Sequence, residues 1–140
     1  MSFDVLSDIN YLAAIVAAIV WFALGAIWYL PAVMGRAWMR SAGIEMPEGY
    51  RPNPMVFVVT FVAYLITAVA TAMLARATAS ETLGEGIVLG FVIAIGFALT
   101  LSAVSALYDR RPEPTTWFLI NGTFNLIGYL LVSMIVTVWE

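Results

Sequence analysis

The chain has 140 residues, 63% hydrophobic and 11% charged, with mean hydropathy +0.96 and net charge −3; a soluble domain is about half apolar and about a quarter charged, so a single water-facing core is excluded. All six basic residues are arginines, scattered along the chain, which excludes the basic patch that nucleic-acid phosphates require. With neither Cys nor His, disulfides, thiolate nucleophiles, imidazole proton shuttles and zinc chemistry are excluded, and no cofactor is expected.

The first ten residues carry Asp4 and Asp8 and no basic side chain, unlike the positive start of a secretory signal, so the apolar stretch that follows is expected to be retained. Four apolar runs, at about 9–30, 54–75, 83–107 and 115–139, are each long enough to cross a hydrocarbon layer, which takes about 20 helical residues. Backbone groups in lipid must be satisfied within the segment, so these runs are predicted as helices. The expected fold is an all-α membrane protein: a single transmembrane domain over 1–140, with four transmembrane helices in an up-down-up-down bundle.

Local signals mark the ends. Asp8 is positioned to cap the first helix, and Pro31 to stop it. Between the first two spans lies a loop, 31–53, whose first half places Val33, Met34, Ala37 and Trp38 on one helical side and Arg36 and Arg40 on another. That spacing predicts a short interfacial amphipathic helix ended by Gly43, with the arginines reaching lipid headgroups. Asn53-Pro54 reads as a cap and first-turn proline, and Thr82 to Glu85 has the spacing of a capping box. Pro112 and Pro114 separate the last two spans. The connections are short, so successive helices are expected to be antiparallel neighbours.

Five arginines, Arg36, Arg40, Arg51, Arg110 and Arg111, fall in the loops after the first and third spans, against Arg76 alone on the opposite side. Arginine-rich short loops stay cytoplasmic, so both termini are expected outside. Cysteines at Ser2 and Ser80 should then react with an external thiol reagent, and one at Glu48 should not. Trp28, Tyr29, Trp38, Tyr108 and Trp117 cluster at the arginine-bearing boundary as an aromatic belt would, with Tyr11 and Trp139 at the other. Arg36, Arg40, Arg110 and Arg111 are candidate lipid-headgroup contacts, and Asp109-Arg110-Arg111 also reads as a self-neutralised turn.

Polar residues within the spans line up on faces. Thr60, Tyr64, Thr67 and Thr71 make one stripe on the second helix; Asn121, Asn125 and Gly128, with Tyr129 at its edge, make another on the fourth. Helix packing accounts for such stripes; the alternative is a cavity between these two helices, with Asn121, Asn125, Tyr64 and Thr67 as hydrogen-bonding groups. The first helix alternates small and large residues on one face, Ala14, Ala18, Trp21, Gly25 and Trp28. The third carries Gly86-xxx-Gly90 and the small set Gly96, Thr100 and Ala103. Asn121-Gly122-Thr123 matches a glycosylation sequon but lies inside a span.

The run Gly25-Ala26-Ile27-Trp28-Tyr29, then Pro31, then Gly35-Arg36-Ala37-Trp38-Met39, resembles the N-terminal signature of a family of small bacterial membrane proteins of unknown function, DUF1761. Phe118 to Gly122 and Gly128-Tyr129-Leu130 are similar to its C-terminal half. The resemblance implies four transmembrane helices in a prokaryotic plasma membrane, with no assigned activity and no catalytic residues to carry over. Trp28, Tyr29, Pro31, Gly35, Trp38 and Asn121 are its signature positions here.

The residues point to a non-enzymatic membrane module that associates with itself or with another membrane protein, its other partners being membrane lipids. The alternative is a small transporter or a lipid- or amphiphile-binding protein. Proton coupling needs an ionisable group within the spans; Glu85, about one turn from a helix end, is the nearest, and capping explains it. An enzyme acting on lipid would have to work at the boundary with Asp109, Glu113, Arg36 or Arg40, in no recognisable arrangement.

Overall fold

The structure is a computed structural model that describes residues 3–47 and 49–139. Every regular element is helical among the described residues. A short 3-10 turn, Phe3–Ser7, leads into α1, Tyr11–Trp28. A π-helical turn, Pro31–Gly35, runs directly into α2, Arg36–Ala42. Residues 43–47 and 49–53 are irregular. Next come α3, Pro54–Ala77, and α4, Leu83–Tyr108, the latter with a π-helical stretch at Ala94–Leu99; α5 is Pro114–Val138. Four of these, α1, α3, α4 and α5, are long and apolar enough to cross a membrane.

The ends follow from cap chemistry. Asn53 Oδ1 accepts from the Met55 amide at 2.9 Å and Pro54 opens α3; Thr82 and Glu85 form the capping box that starts α4. Gly43, at φ +70°, closes α2 in the left-handed conformation that costs glycine least. At α1 the expected cap is displaced. Asn10, not Asp8, accepts from the Ala13 amide at 3.1 Å, while the Asp8 carbonyl accepts from Arg76 at 2.9 and 3.1 Å. Two residues make the difference: Asp8 is still outside the helix, where it ties α1 to the far end of α3.

Ring pairs and close approaches give the helix directions. Trp21 lies on Tyr64 and Phe22 on Phe61, so α1 and α3 are antiparallel. Trp28 meets Phe124, and Asn10 Nδ2 donates to the Trp139 carbonyl at 2.7 Å, so α1 and α5 are antiparallel too. Gly86 faces Ser133 and Gly90 faces Leu130, which sets α4 antiparallel to α5. The up-down-up-down order holds. The packing order differs from simple succession, because α5 touches α1, α3 and α4, whereas α3 and α4 do not pack along each other.

The core sits on the small-residue face of α1. Ala14, Ala17, Ala18 and Trp21 pack with Ala68, Ala72 and Ala75 of α3 and with Phe124, Val132 and Val136 of α5. Small side chains let the backbones approach, which is how helices associate where the surrounding lipid is as apolar as the interface. Two positions show this directly. A Cβ at Gly128 would fall inside the Trp21 indole, and a Cβ at Gly90 would lie 3.0 Å from the Leu130 Cα.

Candidate functional site

The residues that carry the signature form one joint at the arginine-rich end. Tyr29 follows α1 and donates from its hydroxyl to Asn121 Oδ1 on α5 at 2.8 Å; Asn121 in turn donates to the Trp117 carbonyl at 2.9 Å. Pro31 opens the π-helical turn, in which the amides of Val33 and Gly35 both donate to the Leu30 carbonyl. Gly35 is buried because the chain doubles back there: a Cβ would collide with the Tyr29 carbonyl. Trp38 then meets Tyr29 edge to face at 5.4 Å. Trp28 packs on Phe124 at 6.3 Å.

Beyond the signature, α2 is fastened to the segment before α5. The Glu113 amide donates to the Ser41 carbonyl at 3.3 Å, and Arg40 Nε pairs with Glu113 Oε1 at 3.0 Å. Ser41 is fully buried. The side of this short helix turned into the molecule is therefore Gly35 and Ser41 with half-buried Trp38, whereas Val33 and Met34 stay exposed. Asp109 accepts from Ser105 and from Arg111, both at 2.6 Å. Arg111 also lies 3.7 Å over the Trp117 ring. The Ser105 hydroxyl, then the Arg111 guanidinium, hold the exposed Asp109 carboxyl below the usual carboxylate range. Arg110, at φ +48°, and Arg36 are exposed and make no ion pair among the described residues.

The tryptophans at this end do not present their indole N–H groups outward. Those of Trp28, Trp38 and Trp117 are enclosed and without hydrogen bonds, as is that of Trp21. Among the described residues, exposed aromatics at the two ends include Tyr50, Phe57 and Tyr108 on the arginine side and Tyr11 and Trp139 on the other.

The threonine stripe of α3 spends its hydroxyls locally. Thr60, Thr67 and Thr71 donate to the carbonyls of Val56, Ala63 and Thr67, four residues back. Asn125 is half-buried on α5, and its side chain makes no hydrogen bond among the described residues. Tyr64 is drawn to α1, where its ring stacks on Trp21 at 4.4 Å and 9°. So Asn121 reaches α1, and no polar contact joins α3 to α5 through Asn125 or Thr67. One pocket opens on a different seam from that of the second and fourth spans.

It lies between α1 and α3 and measures about 690 Å³. Phe22, Gly25, Ala26 and Tyr29 form one wall and Val56, Phe57, Thr60 and Tyr64 the other; Trp38, Ile44, Met46, Tyr50 and Pro52 close the arginine-rich end. Among the described residues no charged side chain lines it. Volumes of roughly 300–1,000 Å³ with mainly apolar walls are those of small-molecule sites. Sequence reasoning missed the loop's share, since Ile44, Met46 and Pro52 have no periodicity; Tyr50 in so polar a stretch was the one available signal. Among the described residues no group of three or more metal-binding side chains occurs.

Fold and joint together define a four-helix, multi-pass type of membrane protein, with a short helix folded back between the first two spans. The chain belongs to the family described as "Protein of unknown function (DUF1761)", which it matches over residues 12–137. No curated protein and no solved structure matches it.

Proposed function

We propose that the protein is a non-enzymatic membrane module that seats the apolar chain of an amphiphile between α1 and α3. The cavity carries this reading: about 690 Å³, walled by rings and aliphatic side chains, free of charged groups among the described residues, and placed between two helices able to span the bilayer. Its ligand would enter from lipid and remain in an apolar medium, so binding rests on contact and shape. The carboxylates nearest the spans are already engaged, Glu85 in a helix cap and Asp109 and Glu113 in ion pairs. That favours binding over acid–base chemistry and over proton-coupled transport.

Ala26 is exposed and lines the cavity, so Ala26→Phe puts a ring into the path of a bound chain without touching the core. Purified in mild detergent and weighed intact, the natural protein should retain lipid through delipidation and the variant should lose it. Equal retention by both would overturn the reading.

A second reading, self-association, is favoured by α4. That helix rests on α5 and leaves Val88, Val92, Ile95 and Leu101 exposed, so a second copy could cover it. The same mass measurement decides: monomers alone, in native lipid, would count against it. The arginine distribution further supports an orientation with the α2 end in the cytoplasm and both termini outside, and the family resemblance supports a prokaryotic plasma membrane.

A further inference from the structure

We infer that the Tyr64 hydroxyl recognises the ester carbonyl of an acyl-ester lipid seated in the α1/α3 cavity. This rests on the proposed function and narrows its ligand from any apolar chain to an esterified one.

Tyr64 is held in one pose. Its ring is stacked on Trp21 and lies 6.5 Å from Phe124, so the direction of its hydroxyl is set by two packed aromatic neighbours. Among the described residues that hydroxyl makes no hydrogen bond. Unlike the indole nitrogens of Trp21, Trp28 and Trp38, its oxygen is not enclosed, and the ring lines the cavity; the O–H is therefore open to whatever the cavity holds. The other wall hydroxyls are committed, Tyr29 to Asn121 and Thr60 to the Val56 carbonyl. Tyr50 stands at the rim and is 54% exposed.

Depth selects the partner. Tyr64 sits ten residues into α3, yet its side chain leans back toward the start of that helix, bringing the hydroxyl oxygen to 3.9 Å from where a Gly25 Cβ would be. Gly25 is about one turn before the end of α1 at Trp28. The donor thus lies about one turn beneath the arginine-bearing boundary. A glycerolipid places its ester carbonyls at that level, below the headgroup and above the chains. A phenol in an apolar site needs an acceptor, and an ester carbonyl is a far better one than an ether oxygen.

The test compares two phosphatidylcholines of equal chain length, one with ester-linked and one with ether-linked chains, each offered in detergent to the delipidated full-length protein. Bound lipid is counted by intact mass and by competition. The natural protein should hold the ester form roughly threefold more tightly, the scale of one hydrogen bond inside a membrane. Tyr64→Phe, which keeps the stacked ring, should bind both lipids equally and at the ether-lipid level. Equal binding of both by the natural protein, with Ala26→Phe still abolishing it, would overturn the ester donor and leave the chain site standing. An ester preference that persists in Tyr64→Phe would assign the donor elsewhere and so overturn the role of Tyr64. Binding of neither lipid, or binding indifferent to Ala26→Phe, would remove the chain site itself.

Discussion

Asn121 and Asn125 sit one turn apart on α5, and apart from the place of Asn121 in the family signature nothing in their spacing ranks them. The structure does: Asn121 bridges to Tyr29 across 92 residues, whereas the Asn125 side chain has no partner among the described residues. Asn121→Ala should therefore weaken the fold by about 1 kcal/mol, within the range for hydrogen bonds between membrane helices, and Asn125→Leu should cost less. Denaturant unfolding of both variants, with Tyr29→Phe to close a double-mutant cycle on the first, measures this; equal losses would contradict it. Glycines divide in the same way. Gly128→Ala drives a methyl into the Trp21 ring and should cost about 1–3 kcal/mol by overpacking, whereas Gly84, with nothing within 4 Å, should accept alanine within about 1 kcal/mol. Gly128 was legible as a small residue on a polar stripe; that Trp21 fills the place of its side chain was not, because the partner is more than a hundred positions away.

Helix limits were the most readable elements, since caps, prolines and hydropathy act over a few neighbouring residues. Thr82 and Glu85, Asn53 and Pro54, and Gly43 all occupy the roles their local chemistry assigns. What failed to show was how one element rests on another: α2 facing inward with Ser41, and α3 donating its threonine hydroxyls to its own backbone, depend on which surfaces arrive from elsewhere. The turn between α4 and α5 yields a pH prediction at this scale. Ser105 and Arg111 hold the Asp109 carboxyl below its usual range, so the turn gains stability above the unfolded aspartate pKa of about 3.9. That gain is lost as pH falls through the lower folded value. Mobility of a spin label at Tyr108, which is 81% exposed, should rise on acidification below about pH 4 and not in Asp109→Asn, already loosened at neutral pH. An unchanged spectrum in the natural protein would refute it.

For the whole molecule, four spans and their alternating directions followed from composition and loop length, because lipid forces each run to satisfy its own backbone. The neighbour relations did not follow, and neither did the cavity, which needs α1, α3 and the irregular segment brought together. Orientation can be tested at better positions than first chosen. Ser2 and Glu48 lie outside the described residues, and Ser80 is buried, whereas Glu81 and Glu45 are exposed at opposite ends. A cysteine at Glu81 should be modified by an impermeant reagent in intact cells and one at Glu45 should be spared; the opposite pattern would invert the protein in the membrane. One arrangement bears on how the molecule comes into being. The helix against which the three other long helices lean, α5, is the last of the four to be synthesised. At synthesis rates of roughly 5–20 residues per second, α4 waits in the bilayer for more than a second without its packing partner. During that interval Gly86 and Gly90 offer bare backbone to any passing helix. A chain truncated before Pro114 and released from the ribosome should therefore bind foreign membrane helices, and co-expressing 114–138 as a separate segment should rescue it.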